Sequence, residues 1–294
     1  MQDERIYPPS ELVVNTDGSV FHLHLKYGQV ATKIILVGDP GRADLVARHF
    51  TSIECDVCNR EFHTITGFYG SKRISVVSTG IGCGNIDIVL NELDALFNID
   101  LAARKDKPSH TTLELVRIGT CGGLQEYTGL GSRVCSLRSI GLDGLLNFYA
   151  RRNEVCDIGM ERAFVNHMKW DGGQCTAYPY VSIEDEELTS RIAADDAISG
   201  ITVSAVGFYG PQGRWLRGEP ADVLQNRHLA SFQYDGMQVL NYEMESSAMA
   251  GLAKILGHKA ACICLVVAAR RQCEAFTDYG QSMDTLIDDV LQRI

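Results

Sequence analysis

Nowhere does the chain run apolar for long enough to cross a bilayer. Its longest such stretch, Ala260 to Ala269, falls well short of the ~20 residues that a membrane helix needs. Basic runs are equally scarce. With 27 basic against 37 acidic residues the formal net charge is −10, so the surface field repels nucleic acid and anionic lipid, and neither is expected as a partner. An anionic ligand would need a few convergent arginines to hold it against that field. The opening segment MQDERIYPPSELV lacks the basic start and apolar run of a secretory signal, so the expected location is the cytoplasm. There is no tandem repeat, low-complexity tract or Gly/Ser linker, which makes residues 1–294 a single domain on this reading.

Cysteine is present, but a metal-binding or disulfide pattern is not. The 10 cysteines include one CxxC, Cys55 and Cys58, with no second CxxC and no neighbouring His pair to complete a zinc site. Cys262 and Cys264 fall at strand spacing. Free thiols packed as small apolar residues are expected, with no metal.

What does recur is an apolar strand, a Gly-rich turn and an amphipathic helix. Lys33 to Gly38 reads as a buried strand leading through Asp39-Pro40-Gly41-Arg42 into a helix that presents Leu45, Val46 and Phe50. Ile74 to Thr79 is a second strand, followed by Gly80-Ile-Gly-Cys-Gly84 and a helix over Asn85 to Phe97. Leu113 to Ile118 is a third, running into a glycine-rich turn at Gly119 to Gly123. Strands are also expected at Arg133 to Leu137, Ile201 to Val206 and Lys259 to Val267. Helices are expected over Glu245 to Leu256 and Ser282 to Ile294. Such alternation implies an α/β fold, a central mixed sheet flanked by helices in three layers, with ligands gathering at the carboxyl ends of the strands.

The chemistry-bearing residues sit at those ends. Gly38-Asp-Pro-Gly-Arg42 puts free backbone N–H groups and a positive helix end beside an arginine, which suits a phosphate cradle or, more simply, a tight turn with an exposed side chain. Neither familiar nucleotide pattern is present: GxxxxGK[ST] is missing, and Gly80 to Gly84 fails GxGxxG because position 85 is Asn. Arg117 stands inside an apolar strand, where a guanidinium needs an anionic partner, either an internal glutamate or a ligand phosphate with Thr120 as a further donor. Glu243 and Glu245, two apart at a strand-to-helix junction, could hold a diol or simply favour the helix dipole. The Phe208-Tyr-Gly-Pro-Gln-Gly-Arg214 loop offers an aromatic face, an amide and a guanidinium, a set able to read the edge of a planar oxo-base.

In this order the segments resemble the nucleoside phosphorylase-I superfamily and, within it, the uridine phosphorylases, over roughly Phe21 to Arg270. The matching pieces are Phe21-His22, Gly38 to Arg42, Arg60-Glu61-Phe62, Ser78 to Gly82, Arg117 to Thr120, Phe208 to Arg214 and Asn241 to Ser246. The resemblance implies reversible phosphorolysis of uridine to uracil and ribose 1-phosphate in pyrimidine salvage, by a pentosyltransferase. It implies that Gly38, Arg42, Arg117 and Thr120 bind phosphate, with Arg60 reaching in from a neighbouring subunit. Ribose would meet Thr120, Met244, Glu245 and the neighbour's His22, and uracil would meet Phe208, Gln212 and Arg214. Arg117, Gln212 and Arg214 would carry the catalysis. A homodimer with shared sites follows, and no cofactor is called for beyond phosphate as a substrate.

The sequence departs from its relatives at three places. Cys83-Gly84-Asn85 replaces a Pro-Ser pair whose serine, with the glutamate matching Glu61, holds potassium in some members, which leaves that ion open here. Ala269 stands in place of Asn, and Gly210-Pro211 alters the base loop. Purine members carry a late acidic residue where this chain has Ala268-Ala269-Arg270, which disfavours a purine. A hydrolytic nucleosidase of the same fold and a catalytically weak or inactive nucleoside-binding paralogue are the remaining alternatives.

Overall fold

The computed structural model describes residues 5–170 and 177–294. A twelve-stranded mixed sheet forms the centre. From one side to the other its main strands run Met237–Glu243, Ile198–Ser204, Arg133–Gly141, Lys259–Ala269, Glu114–Gly123, Lys33–Val37, Lys72–Ser78, Phe62–Tyr69 and Ser52–Asn59. The strands near the middle are paired parallel, as expected for segments buried on both faces and read as continuous apolar runs. Helices Cys83–Asn98 and Ser246–Leu256 pack together over one face, and Pro40–Ala47, Glu186–Ala193 and Gly280–Arg293 cover the other. This is the three-layer arrangement expected from the alternation. Among the described residues no helix is long and apolar enough to cross a membrane.

Two features were not legible in the pattern. The first is the length of the strand expected to end at Ile118, which continues through the glycines to Gly123. These glycines are strand residues, and two of them permit close approaches. A Cβ at Gly119 would meet the Arg117 guanidinium and lie 2.8 Å from Cys264 Sγ, and one at Gly123 would collide with the Thr128 carbonyl. The second feature depends on the first: Gly122 and Gly123 pair antiparallel with Tyr242 and Asn241, so five strands close into a ring. That closure brings the Asn241 to Ser246 segment against Arg117.

The Ser52–Asn59 and Phe62–Tyr69 hairpin and helix Ile158–Met168 had no counterpart in the pattern reading. Ser52–Asn59 is the outer strand of the sheet and mostly exposed, so it lacks the apolar run that marked the others. Strand Tyr180–Ile183 and helices Arg152–Val155, Glu186–Ala193 and Gln225–Ser231 were likewise not expected, and several expected elements differ at their ends. Phe50 lies beyond a helix that stops at Ala47, and the C-terminal helix buries Leu286, Ile287, Val290 and Leu291 as expected. The nine described cysteines are free, and six of them are buried, while Cys175 lies outside the described residues.

The hairpin packs without slack at Gly67, where a Cβ would collide with the Ser52 carbonyl and stand 2.7 Å from the Phe50 ring. Backbone cannot move aside as a side chain can. Gly67→Ala is expected to destabilise the fold by about 2 kcal/mol, read as a lower urea midpoint at unchanged m-value. A wild-type midpoint would show that the hairpin yields.

Candidate active site

One cavity of about 430 Å3 opens where the strand ends meet, and ten of the residues singled out in the sequence line it: Gly38, Arg42, Arg117, Thr120, Phe208, Gln212, Arg214, Glu243, Met244 and Glu245. They come from four separate segments of chain.

Arg42 is placed by helix Pro40–Ala47. Asp39 caps that helix by accepting the Gly41 N–H at 3.0 Å, and Pro40 occupies the first turn, where its missing N–H costs nothing. The Arg42 side chain then folds under the sheet edge, 8% exposed, and its Nη1 donates to the Ile118 carbonyl at 3.4 Å. It forms no ion pair among the described residues. Burial, and next the nearby Arg117, push its pKa below the usual arginine value. This is a buried cation poorly satisfied by protein groups.

Arg117 shows the opposite situation. Burial works against its charge, but Glu245 and then Glu243 outweigh it and hold the pKa well above the ordinary range. Its Nη2 donates to Glu245 Oε2, and its Nη1 lies 3.6 Å from Glu243 Oε2. The internal glutamate partner considered in the sequence is therefore present, and the same guanidinium still lines the cavity. Its Nε is buried without a partner.

The two glutamates divide their work. Glu243 Oε1 accepts from Ser204 Oγ at 2.5 Å and Ser246 Oγ at 2.7 Å, while Oε2 accepts the N–H groups of Glu245 and Ser246 at 2.8 and 2.9 Å. It thus caps helix Ser246–Leu256, the helix-dipole role weighed in the sequence, and both its oxygens are engaged. Glu245 accepts the Gly82 N–H at 2.6 Å and faces Arg117.

Across the cavity wall, Arg214 Nη1 donates to Gln212 Oε1 at 2.5 Å and to the Phe208 carbonyl at 2.6 Å, with its guanidinium 3.7 Å from the Phe208 ring centroid. Because arginine only donates, Gln212 must turn its oxygen to Arg214, which leaves its NH2 as a donor. Burial, and next Arg270, lower the Arg214 pKa to about 10, so it is charged at neutral pH. Arg270 was seen in the sequence only as the end of a strand. It donates to the carbonyls of Gln212 and Gly213 at 3.2 and 3.3 Å and so props the loop from behind. No local pattern marks such a role. Tyr242, a cavity residue not singled out, accepts from Gln225 Nε2 at 2.7 Å.

His22 and Arg60 do not line this cavity. Their segments pack against each other instead: Asn59 Nδ2 donates to the His22 carbonyl at 2.7 Å, and the Arg60 guanidinium stands 5.3 Å from the ring centroid of Phe21. His22 Nδ1 lies 2.6 Å from Glu92 Oε1. Arg60 holds φ at +57° in the hairpin turn. Nearby, a Cβ on Gly80 would be 3.3 Å from Glu61 Cγ and would collide with the Asn85 amide, so the turn brings Glu61 and Asn85 to the same glycine.

Cys83 packs against the Met244 carbonyl, and burial, followed by Asp143, raises its thiol pKa well above the usual value, so it is no poised nucleophile. One His/Asp group elsewhere, Asp94, His110 and His258, has metal-like spacing. There the Leu113 N–H donates to His258 Nδ1 at 3.2 Å, which forces the proton onto Nε2, 3.2 Å from Asp94 Oδ1. His258 Nε2 makes no hydrogen bond among the described residues, and its Nδ1 lone pair is spent on backbone, so the group does not present a free set of metal ligands.

The family model described as "Phosphorylase superfamily" matches residues 32–292. A uridine phosphorylase of Haemophilus influenzae is 28% identical over 87% of this chain and 88% of its own length. A DeoD-type purine nucleoside phosphorylase of Alkaliphilus metalliredigens is 39% identical, over 43% of this chain and 48% of its own length. Among solved structures, a Trypanosoma brucei nucleoside phosphorylase described as showing uridine phosphorylase activity superposes with a TM-score of 0.86 at 28% identity, covering 96% of this chain and 98% of that one.

Glu243→Gln would turn one acceptor into a donor that faces donors. The substitution is expected to lower stability by about 1–3 kcal/mol in chemical denaturation. An unchanged midpoint would remove Glu243 as the cap of the helix.

Proposed function

The chain belongs to the phosphorylase superfamily and is a nucleoside phosphorylase, a pentosyltransferase, and from that premise we propose that its nucleoside is uridine, split reversibly by phosphate into uracil and ribose 1-phosphate. One observation carries the reading: Arg42, buried with no carboxylate partner among the described residues, opens into the same cavity as the Phe208, Gln212 and Arg214 cluster.

Breaking the N-glycosidic bond builds positive charge at the ribose C1′ and negative charge on the leaving base, so catalysis means stabilising both. Phosphate is held by Arg42, Arg117, Thr120 and the backbone at Gly38, and serves as nucleophile beside the oxocarbenium-like centre. Met244 and Glu245 hold the ribose. The Gln212 NH2 and the free Arg214 donors form a donor-rich edge, which suits the carbonyl oxygens of uracil as they gain charge. The chain has no acidic side chain in the Ala268-Ala269-Arg270 segment to protonate a purine N7. Because His22 and Arg60 stand together outside the cavity, they are available to complete the site of a second copy in a homodimer. This activity belongs to pyrimidine salvage in the cytoplasm.

A hydrolytic nucleosidase would use water and leave Arg42 without a role. Uridine consumption is expected to require phosphate, measured on a panel of uridine, 2′-deoxyuridine, thymidine and inosine. Turnover of uridine without phosphate would favour the hydrolase, and binding without turnover the inactive paralogue. Arg42→Ala should raise the KM for phosphate by about tenfold or more, the loss of one charge-assisted hydrogen-bonding group.

Arg214→Ala should lower kcat by about 100-fold or more while changing the uridine dissociation constant far less, because its donors matter most once charge develops on the base. Equal losses in both would make Arg214 a ground-state binding residue.

A further inference from the structure

A second concentration of positive charge lies outside the cavity. Arg227, Arg270 and Arg271 line a separate groove of about 510 Å3, together with Asn226 on helix Gln225–Ser231 and Ser231 at its end. In a chain of net charge −10, three guanidinium groups in one groove repel one another unless something offsets them. The protein offsets little. Arg271 pairs with Glu126 at 3.1 Å, but both side chains are more than half exposed, so that pair is weak. Arg227 and Arg270 form no ion pair among the described residues, and Arg270 reaches only two backbone carbonyls. Burial of Arg270 lowers its pKa, which is the direction expected of a cation short of counter-charge.

We propose that this groove is a binding site for the phosphate group of a small phosphorylated metabolite. Guanidinium forks match phosphate oxygens in geometry, and an anion between Arg227, Arg270 and Arg271 would supply the counter-charge they lack. The volume exceeds what a bare phosphate fills and falls within the range of small-molecule sites, which favours an ester over the free ion. The side chains of Asn226 and Ser231 supply neutral polar contacts for the rest of such a molecule. Arg270 makes this site a neighbour of the base loop, because its other contacts are the Gln212 and Gly213 carbonyls.

The test is a calorimetric titration of the intact protein with ribose 5-phosphate, and separately with inorganic phosphate, at ionic strength held constant with sodium chloride. Wild type should bind two molecules of ribose 5-phosphate per chain. Arg227→Ala/Arg271→Ala should lose one of the two sites, weakened at least tenfold, and Arg42→Ala should weaken the other. Both arginines of the double variant are exposed, so it should unfold at the wild-type temperature. Tighter binding of ribose 5-phosphate than of inorganic phosphate at the groove supports an ester. No site lost in the double variant, loss of the same site in both variants, or groove affinity no greater for the ester than for inorganic phosphate would each overturn the proposal. Calorimetry needs no turnover, so an outcome against uridine as the substrate leaves this test intact.

Discussion

A charged group inside the sheet has to be answered there, and the rest of the site is arranged around that answer. Arg117 projects from the Glu114–Gly123 strand into an interior where an unpaired guanidinium would cost several kcal/mol. Glu245 and Glu243 meet it. Those carboxylates are themselves costly to bury, and each is held by donors: Glu245 by the Gly82 amide, Glu243 by two serine hydroxyls and two helix N-terminal amides. The ion pair therefore fastens three elements that share no sequence neighbourhood, namely a central strand, the glycine turn after Lys72–Ser78 and the start of helix Ser246–Leu256. A half-satisfied version of this network would be worse than an apolar one, which explains why so many hydrogen bonds converge on so few side chains.

The network can exist because the backbone lets the chain close. Gly119 leaves room for the arginine beside Cys264, and Gly122 with Gly123 carries the strand far enough to pair with Tyr242 and Asn241. A residue with a Cβ at Gly119 would push the guanidinium away from its partners. Three glycines that read as a turn thus perform a task that a turn could not, bringing the second half of the sheet back to the first.

This difference marks what the residues disclosed in advance and what they did not. Buried strands such as Lys33–Val37 and Lys259–Ala269, and the helix with Leu286, Ile287, Val290 and Leu291 inward, follow from apolar period and length, which are local properties. The order of the strands and the closure of the ring depend on pairings between distant segments, which leave no period behind. The same division runs through the site. Arg42, Arg117, Gln212 and Arg214 stood out because charge and amide groups at strand ends or within apolar runs are locally conspicuous. Arg270 did not, since its importance lies in two carbonyls nearly sixty residues away. Glu243 was visible as a carboxylate, yet its full engagement by Ser204 could be known only once the two strands were side by side.

The two cavity arginines differ in a way that bears on how a reaction of this kind would proceed. Arg117 already has its counter-charge, whereas Arg42 has none among the described residues, so on the proposed reading an incoming phosphate would meet one unsatisfied cation first. Once bound there, the dianion would compete with Glu245 for Arg117. Any donor of Arg117 that turns to phosphate frees an oxygen of Glu245, and a freed carboxylate oxygen beside Met244 is what the hydroxyls of a ribose require. On the proposed reading, then, phosphate strengthens sugar binding without touching the sugar: Arg117 is shared between the two, and the ion pair that stabilises the empty site becomes the means by which one substrate prepares the place of the other.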